Sequence, residues 1–180
     1  MALRNNEPAT ERWHLGCQIP SYFAWSTADP AVQIGRISER GTVPANGERL
    51  IRTAGLAYVR DRRMIQARSV GKSAFYMAGG KIDPGETAEQ ALHREIREEL
   101  DVAVIDARLL GVFECEAWGH PMGTPLEITC FLADLVGEPS PTSEIAEIRY
   151  FTRDEYAAMP DIAPGSLMVF DRMKALDLID

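Results

Sequence analysis

The chain has no apolar run of bilayer length, no cysteine pair at metal or redox spacing, and no surplus of positive charge. A spanning helix needs about 20 predominantly apolar residues in a row, and none of the runs reaches that. The start, Met1 to Gly16, carries charges where a signal peptide would need an apolar stretch, so a cytoplasmic protein is expected. The three cysteines, Cys17, Cys115 and Cys130, are odd in number and contain no C-x-x-C spacing, which argues against both a disulfide framework and a zinc site. With 19 Lys and Arg against 27 Asp and Glu, the net charge is −8. Binding of a nucleic acid polymer rests on many Lys and Arg contacts to phosphates, so neither such a polymer nor an anionic membrane is an expected partner. A small anionic substrate stays open, because bound divalent cations can supply positive charge locally.

What is present suits a globular protein: 180 residues, 46% of them hydrophobic, with no internal repeat or low-complexity tract. Residues 1–50 mix polar punctuation with Trp13, Tyr22, Phe23 and Trp25. Disordered tails are poor in aromatics, so this segment is expected to pack as an N-terminal extension on the domain or on a homodimer partner. Residues 51–180 carry the clearer pattern. Ile51 to Arg60 and Arg63 to Ser69 read as strands joined by a tight turn at Asp61-Arg62, and Ser73 to Met77 as a short aromatic strand. Ala78 to Glu86 is too rich in Gly and Pro for regular structure and reads as a loop. Thr87 and Gln90 make a capping box for a helix from Ala88 to about Leu100. Further strands are expected at Val104 to Glu116, Leu126 to Val136 and Ile145 to Phe151. A short helix should open at Thr152, and a last one should run from Leu167 to about Leu178. Strands interleaved with a few helices and short connections indicate an α+β sandwich.

The helix from Ala88 holds the chemistry. At about 100° per residue, Ala88, Ala91, Leu92, Ile96 and Leu100 form its apolar face. Glu95, Glu98 and Glu99 fall on an arc that overlaps this face instead of opposing it. Carboxylates gathered on a half-buried face repel one another and lose hydration, at a cost that reaches several kcal/mol per ion. Arg94 can neutralise only one of them. Hard divalent cations with oxygen ligands, Mg²⁺ or Mn²⁺, are the natural complement. The preceding Gly79, Gly80 and Gly85 let backbone approach a ligand closely, and the helix N-terminus favours anions. A Glu-rich helix is otherwise an ordinary solvated face; the overlap with the apolar stripe and the Gly-rich approach set this one apart.

Counting from Gly80, five residues lead to Glu86, seven more to Arg94-Glu95-Ile96, then one residue, Glu98-Glu99, one residue, Asp101 and Val102. This spacing resembles the Nudix box, G-x5-E-x7-R-E-U-x-E-E-x-G-U with U aliphatic, at every defined position except Asp101, where the family usually has Gly. Asp tolerates the left-handed conformation wanted just past a helix better than most residues. The resemblance implies a Nudix-type α/β/α sandwich with a mixed sheet and metal-dependent hydrolysis of a diphosphate linkage. It also implies metal ligation by Glu95, Glu98 and Glu99, with the Gly80 carbonyl joining them, and a Glu86–Arg94 pair that orients the cluster. Relatives often draw a general base from outside the box; Glu144, at a loop entering a strand, is the first candidate, ahead of Glu147, Glu116 and Glu114.

Weaker candidates for substrate contact are His120 in Trp118-Gly119-His120-Pro121-Met122-Gly123, the phosphate-meeting cations Lys81, Arg62 and Arg63, and Phe75 or Tyr76, which are more often core residues than a base-stacking surface. His93 falls on the outward face of the helix. The markers of the ADP-ribose, diadenosine polyphosphate, NADH and coenzyme A subfamilies are absent, which leaves the substrate open among the nucleoside diphosphate derivatives that the resemblance implies: ADP-ribose-like, a nucleotide sugar or a (d)NTP. Two other readings compete. A Nudix-fold prenyl diphosphate isomerase would use Cys115 with a neighbouring Glu, and a non-catalytic nucleotide-binding regulatory module would have lost box carboxylates, which this sequence keeps.

Overall fold

The computed structural model describes residues 50–142 and 144–180; the expectation that residues 1–50 form a packed extension or dimer contact falls on residues 1–49, outside them. The described chain is an α+β sandwich with ten elements. Strands β1 (Ile51–Ala57), β4 (Gly79–Lys81), β5 (Ala103–Glu116) and β6 (Pro125–Val136) make one sheet in the order β4-β1-β6-β5. Strands β2 (Val59–Arg60), β3 (Arg63–Ser69) and β7 (Ile145–Phe151) make a second, in the order β2-β3-β7. The first sheet is mixed, because β1 runs parallel to β6 while β4–β1 and β5–β6 are antiparallel.

Helix α1 (Ala88–Leu100) lies on one face and packs on β1, β4 and β5; its buried Ala91, Leu92, Ile96 and Leu100 join Leu56, Ile65 and Phe131 in one core cluster. On the other face α2 (Arg153–Ala157) and α3 (Pro164–Ala175) bring Tyr156, Val169, Phe170 and Met173 into a second cluster with Met64, Phe75, Ile128 and Phe151. The α1 boundaries match the sequence reading, and both halves of the Thr87–Gln90 capping box are formed. Asp101 ends the helix with φ 53°, in the left-handed region expected of it. The Asp61-Arg62 turn has φ of 50° and 58°, as a two-residue hairpin with type I′ geometry requires.

Four expectations about elements change. The stretch Ile51 to Arg60 is not one strand: it breaks at Tyr58, where the chain leaves the first sheet for the second. Ser73 to Met77 forms only single bridges, Ala67 with Tyr76 and Phe75 with Ile162. The presumed loop Ala78 to Glu86 contains β4, a strand created by pairing with β1 and not by its own propensity. Finally, α3 starts at Pro164 and ends at Ala175, earlier than expected, since proline is compatible with the first turn. Among the described residues no helix is long and apolar enough to cross a membrane.

Candidate active site

The two glycines of β4 bring the sheet and α1 into close contact. Gly79 has φ 132°, and a Cβ there would run into the Ala54 carbonyl oxygen. Its N–H donates to Glu99 Oε2 at 2.9 Å. At Gly80 an added Cβ would fall on the Glu95 carboxylate itself. The strand therefore has to be glycine for Glu95 and Glu99 to lie against its backbone.

Arg94 organises the rest. Its guanidinium donates to both oxygens of Glu86, at 3.0 and 2.9 Å, to Glu95 Oε1 at 2.7 Å and to the Lys81 carbonyl at 3.0 Å; Glu98 Oε2 lies 3.5 Å away. Glu86 also accepts from the Asp83 N–H at 3.0 Å. These bonds, Arg94 first, hold the Glu86 carboxyl below its ordinary range, and Glu86 and Glu95 in turn raise Arg94. Among the described residues Glu99 has no such guanidinium. Burial pushes its carboxyl up to about 7, against the opposing Gly79 hydrogen bond, and the nearby charges of Glu95, Glu144 and Glu98 push the same way.

As the side chains stand, Glu95 is held by Arg94, Glu99 by Gly79, and Glu98 is exposed. Among the described residues no three His, Cys, Asp or Glu side chains close on one point. The donor set nevertheless fits a hard divalent cation. It is all oxygen, its most buried member lacks a cationic partner among the described residues, and a Cβ at Gly80 would fill the space beside Glu95.

The structure separates the candidates for the outside carboxylate. Glu144 is exposed, close enough for its charge to act on Glu99, and its carbonyl accepts from the Val70 N–H at 3.0 Å. Glu147 is bound by Arg68 at 3.0 Å and by Arg149 at 2.6 Å, which hold its carboxyl below the ordinary range. Glu114 pairs across the sheet with Glu127, and Glu116 accepts from the Gly123 N–H at 2.7 Å.

Beside this cluster lies a cavity of about 350 Å³ whose lining includes Gly79, Gly80, Lys81, Lys72, Tyr76, Trp118, His120, Met77 and Ser166. Lys81 and His120 thus border it, as the sequence reading allowed. Of the two aromatic neighbours, Tyr76 lines it while Phe75 belongs to the core. Arg62 and Arg63 do not reach it: Arg62 is tied to Asp177 and Asp180, and Arg63 to Glu155. His93 is exposed on α1. Cys115 is absent from the lining; it is half-buried, and a Cβ on Gly165 would come within 3.2 Å of its Sγ. Sequence reasoning missed Lys72 and the α3 start at Ala163 to Ser166, and it weighed Tyr76 chiefly as core. Lys72 follows Gly71 at φ 76°, a turn signal that indicates a loop without saying what the loop faces.

Comparison with known proteins bears on the family and the fold. The chain is 34% identical over 96 residues to the NAD-capped RNA hydrolase NudC of Vibrio vulnificus (strain CMCP6), covering 52% of this chain and 33% of that protein. It is 42% identical over 60 residues to the 8-oxo-dGTP diphosphatase of Haemophilus influenzae (strain ATCC 51907 / DSM 11121 / KW20 / Rd), covering 33% of this chain and 39% of that one. The chain thus spans only about a third of the length of these curated relatives. Among solved structures, a MutT NUDIX hydrolase from Burkholderia pseudomallei superposes with a TM-score of 0.59 at 26% identity, over 69% of this chain and 98% of that one. The E. coli ORF135 protein, at 22% identity and a TM-score of 0.61 over 74% of this chain and 95% of its own, shares the fold. Residues 50–172 match the NUDIX domain model, which covers well over half of the sequence, and the chain belongs to the Nudix hydrolase family.

Proposed function

We propose that this protein is a metal-dependent pyrophosphohydrolase that splits the diphosphate linkage of a nucleoside diphosphate derivative. The observation that carries this reading is the Glu99 carboxyl, buried against the Gly79 N–H near the like charges of Glu95, Glu98 and Glu144, with no guanidinium among the described residues to balance it. Mg²⁺ or Mn²⁺ held by Glu95, Glu98 and Glu99, with the Gly80 carbonyl, would neutralise substrate phosphate oxygens and acidify a bound water. The chain's own contribution is positional. Glu86 and Arg94 fix Glu95 against β4, Gly79 fixes Glu99, and Lys72 and Lys81 at the cavity add positive charge to a protein that is acidic overall. Glu144, whose charge acts on Glu99 and which is not bound by the arginines that hold Glu147, would accept a proton from the attacking water.

The named relatives act on NAD-capped RNA and on 8-oxo-dGTP, both of which contain a nucleotide phosphoanhydride. The net charge of −8 favours the small-molecule end of that range over a polymer. An ADP-ribose-like or other linked nucleoside diphosphate is preferred over a free dNTP, because the eight residues between β5 and β6 leave room for a group beyond the diphosphate. The test is a panel of ADP-ribose, NADH, UDP-glucose, a dinucleoside polyphosphate, dGTP and 8-oxo-dGTP, assayed with Mg²⁺, with Mn²⁺ and after chelation. Metal-dependent release of a nucleoside monophosphate from a linked diphosphate is expected. Turnover that survives exhaustive chelation removes the metal from the reading, and a dNTP preferred by more than about a hundredfold in kcat/KM reverses the substrate preference.

A further inference from the structure

We propose that Tyr76 and Trp118 form a seat for the planar heteroaromatic ring of the substrate, and that these two side chains set a preference for diphosphates that carry a base. The proposal rests on the diphosphate reading above and goes beyond it by naming what holds the rest of the molecule.

Burying a large aromatic is strongly favourable, and Phe75 does so in the second core cluster. Tyr76 and Trp118 belong to neither core cluster; both are half-buried on the wall of the 350 Å³ cavity. Their ring centroids are 6.4 Å apart with planes tilted by 43°, so they do not stack face to face on each other. Apolar ring surface is left facing the cavity from two separate segments of chain.

Both rings sit on fixed backbone. Tyr76 exchanges hydrogen bonds with Ala67 at 2.9 and 2.8 Å. Its neighbours are pinned as well: the Tyr156 hydroxyl donates to the Phe75 carbonyl at 2.7 Å, and the Met77 N–H donates to Ser166 Oγ at 3.1 Å. Trp118 stands on the β5–β6 connection, which is closed by Ala117 N–H to Thr124 O at 2.9 Å and braced by Gly123 N–H to Glu116 Oε1 at 2.7 Å. A seat ordered before binding loses little entropy when it fills.

Position and charge complete the case. Gly79 and Gly80, which touch Glu99 and Glu95, border the same cavity, so a ring held there has its diphosphate within reach of the carboxylates. Lys72 and Lys81 line the cavity, and among the described residues its one acidic liner, Glu116, is already engaged by Gly123. A volume near the lower end of the usual 300–1,000 Å³ for small-molecule sites fits one ring-bearing half of a substrate and leaves the other half outside.

The full chain and its Trp118→Ala and Trp118→Phe variants are assayed with Mg²⁺ on ADP-ribose, UDP-glucose and dGTP, and on phosphoribosyl diphosphate, which has the diphosphate and sugar but no base. For Trp118→Ala, KM for the base-bearing substrates should rise about tenfold, the scale of one base–aromatic stack. Its kcat should stay within about threefold, and phosphoribosyl diphosphate should be unaffected; Trp118→Phe, which keeps a ring face, should behave like wild type. Independently of turnover, AMP added under chelation should quench tryptophan fluorescence in the full chain, and the quench should be lost in Trp118→Phe, where only Trp13 and Trp25 still emit. Equal losses on base-bearing and base-free substrates, or an AMP quench that persists in Trp118→Phe, overturn the seat. If no diphosphate is hydrolysed by the wild-type chain, the hydrolase reading fails, while the AMP titration still decides the seat.

Discussion

Glu144 and Glu147 are three residues apart, yet their surroundings give them different chemical prospects. Arg68 and Arg149 hold Glu147 as a carboxylate below its ordinary range, so it is a poor proton acceptor near neutral pH. Glu144 is exposed, with its charge felt at Glu99. Glu144→Gln is therefore expected to lower kcat by about a hundredfold, the lower end of general-base contributions, with metal affinity unchanged. Glu147→Gln should leave kcat within about threefold and lower stability slightly. Steady-state kinetics with a metal titration on both variants checks this; weaker metal binding in Glu144→Gln would make that residue a ligand instead of a base. At this scale the box residues were legible in the sequence because Glu86 to Glu99 sit on one helix and the loop before it, where spacing alone fixes their faces. Lys72 was not, and the sequence named Tyr76 and the Trp118 loop without showing that they share one wall, because the three come from segments that only the sheet topology unites. The two arginines at the β2–β3 turn look like phosphate contacts in sequence and are spent on Asp177, Asp180 and Glu155.

Strand β4 and helix α1 meet through two glycines whose replacement should have opposite consequences. At Gly79 an added Cβ meets backbone, the Ala54 carbonyl, and the φ of 132° is one that side chains rarely adopt. Nothing there can yield, so Gly79→Ala is expected to lower stability by several kcal/mol or to prevent folding. At Gly80 the added Cβ meets only the end of the Glu95 side chain, which can swing away. Gly80→Ala should cost about 1 kcal/mol or less in stability while lowering kcat at least tenfold, because the displaced carboxylate leaves the position that Arg94 gives it. Thermal melts paired with kinetics separate the two; a fully active Gly80→Ala would detach the Gly80–Glu95 contact from catalysis. The same elements show what pattern reading can and cannot recover. The capping box and apolar stripe mark α1 from its own residues. Strand β4 has no such mark, since two glycines and a lysine become a strand only by pairing with β1. The break at Tyr58 is equally silent, because a chain that passes from one sheet to another keeps its strand-forming residues throughout.

For the whole molecule, the buried Glu99 couples stability to pH and, on the proposed function, to metal. Its carboxyl is raised from the ordinary 4.5 to about 7, so in that interval the folded chain holds a proton that the unfolded chain has released. Its contribution to stability is therefore complete below about pH 4.5 and is lost as pH rises through about 7. Glu86, Glu147, Asp154 and Glu155 have the opposite sign: each is lowered, and what they contribute is lost as pH falls below the ordinary carboxylate range. Between pH 5 and 8 the four are ionised in both states, which leaves Glu99 to set the slope among these carboxyls. In chelator, the melting temperature of the wild-type chain should fall across that range relative to Glu99→Gln, whose amide can still accept from Gly79 without carrying charge. The gap at pH 8 should be several degrees, corresponding to about 2 kcal/mol. Adding Mg²⁺ or Mn²⁺ at pH 8 should close or reverse the gap, since a cation bound only to the folded chain stabilises it by mass action and Glu99→Gln would lack the proposed ligand. The same substitution should then lower kcat by about a hundredfold, making Glu99→Gln the more stable protein without metal and the poorer enzyme with it. Parallel melting curves for the two chains from pH 5 to 8, with no response to either metal, would mean that Glu99 is neither the buried proton holder nor a ligand.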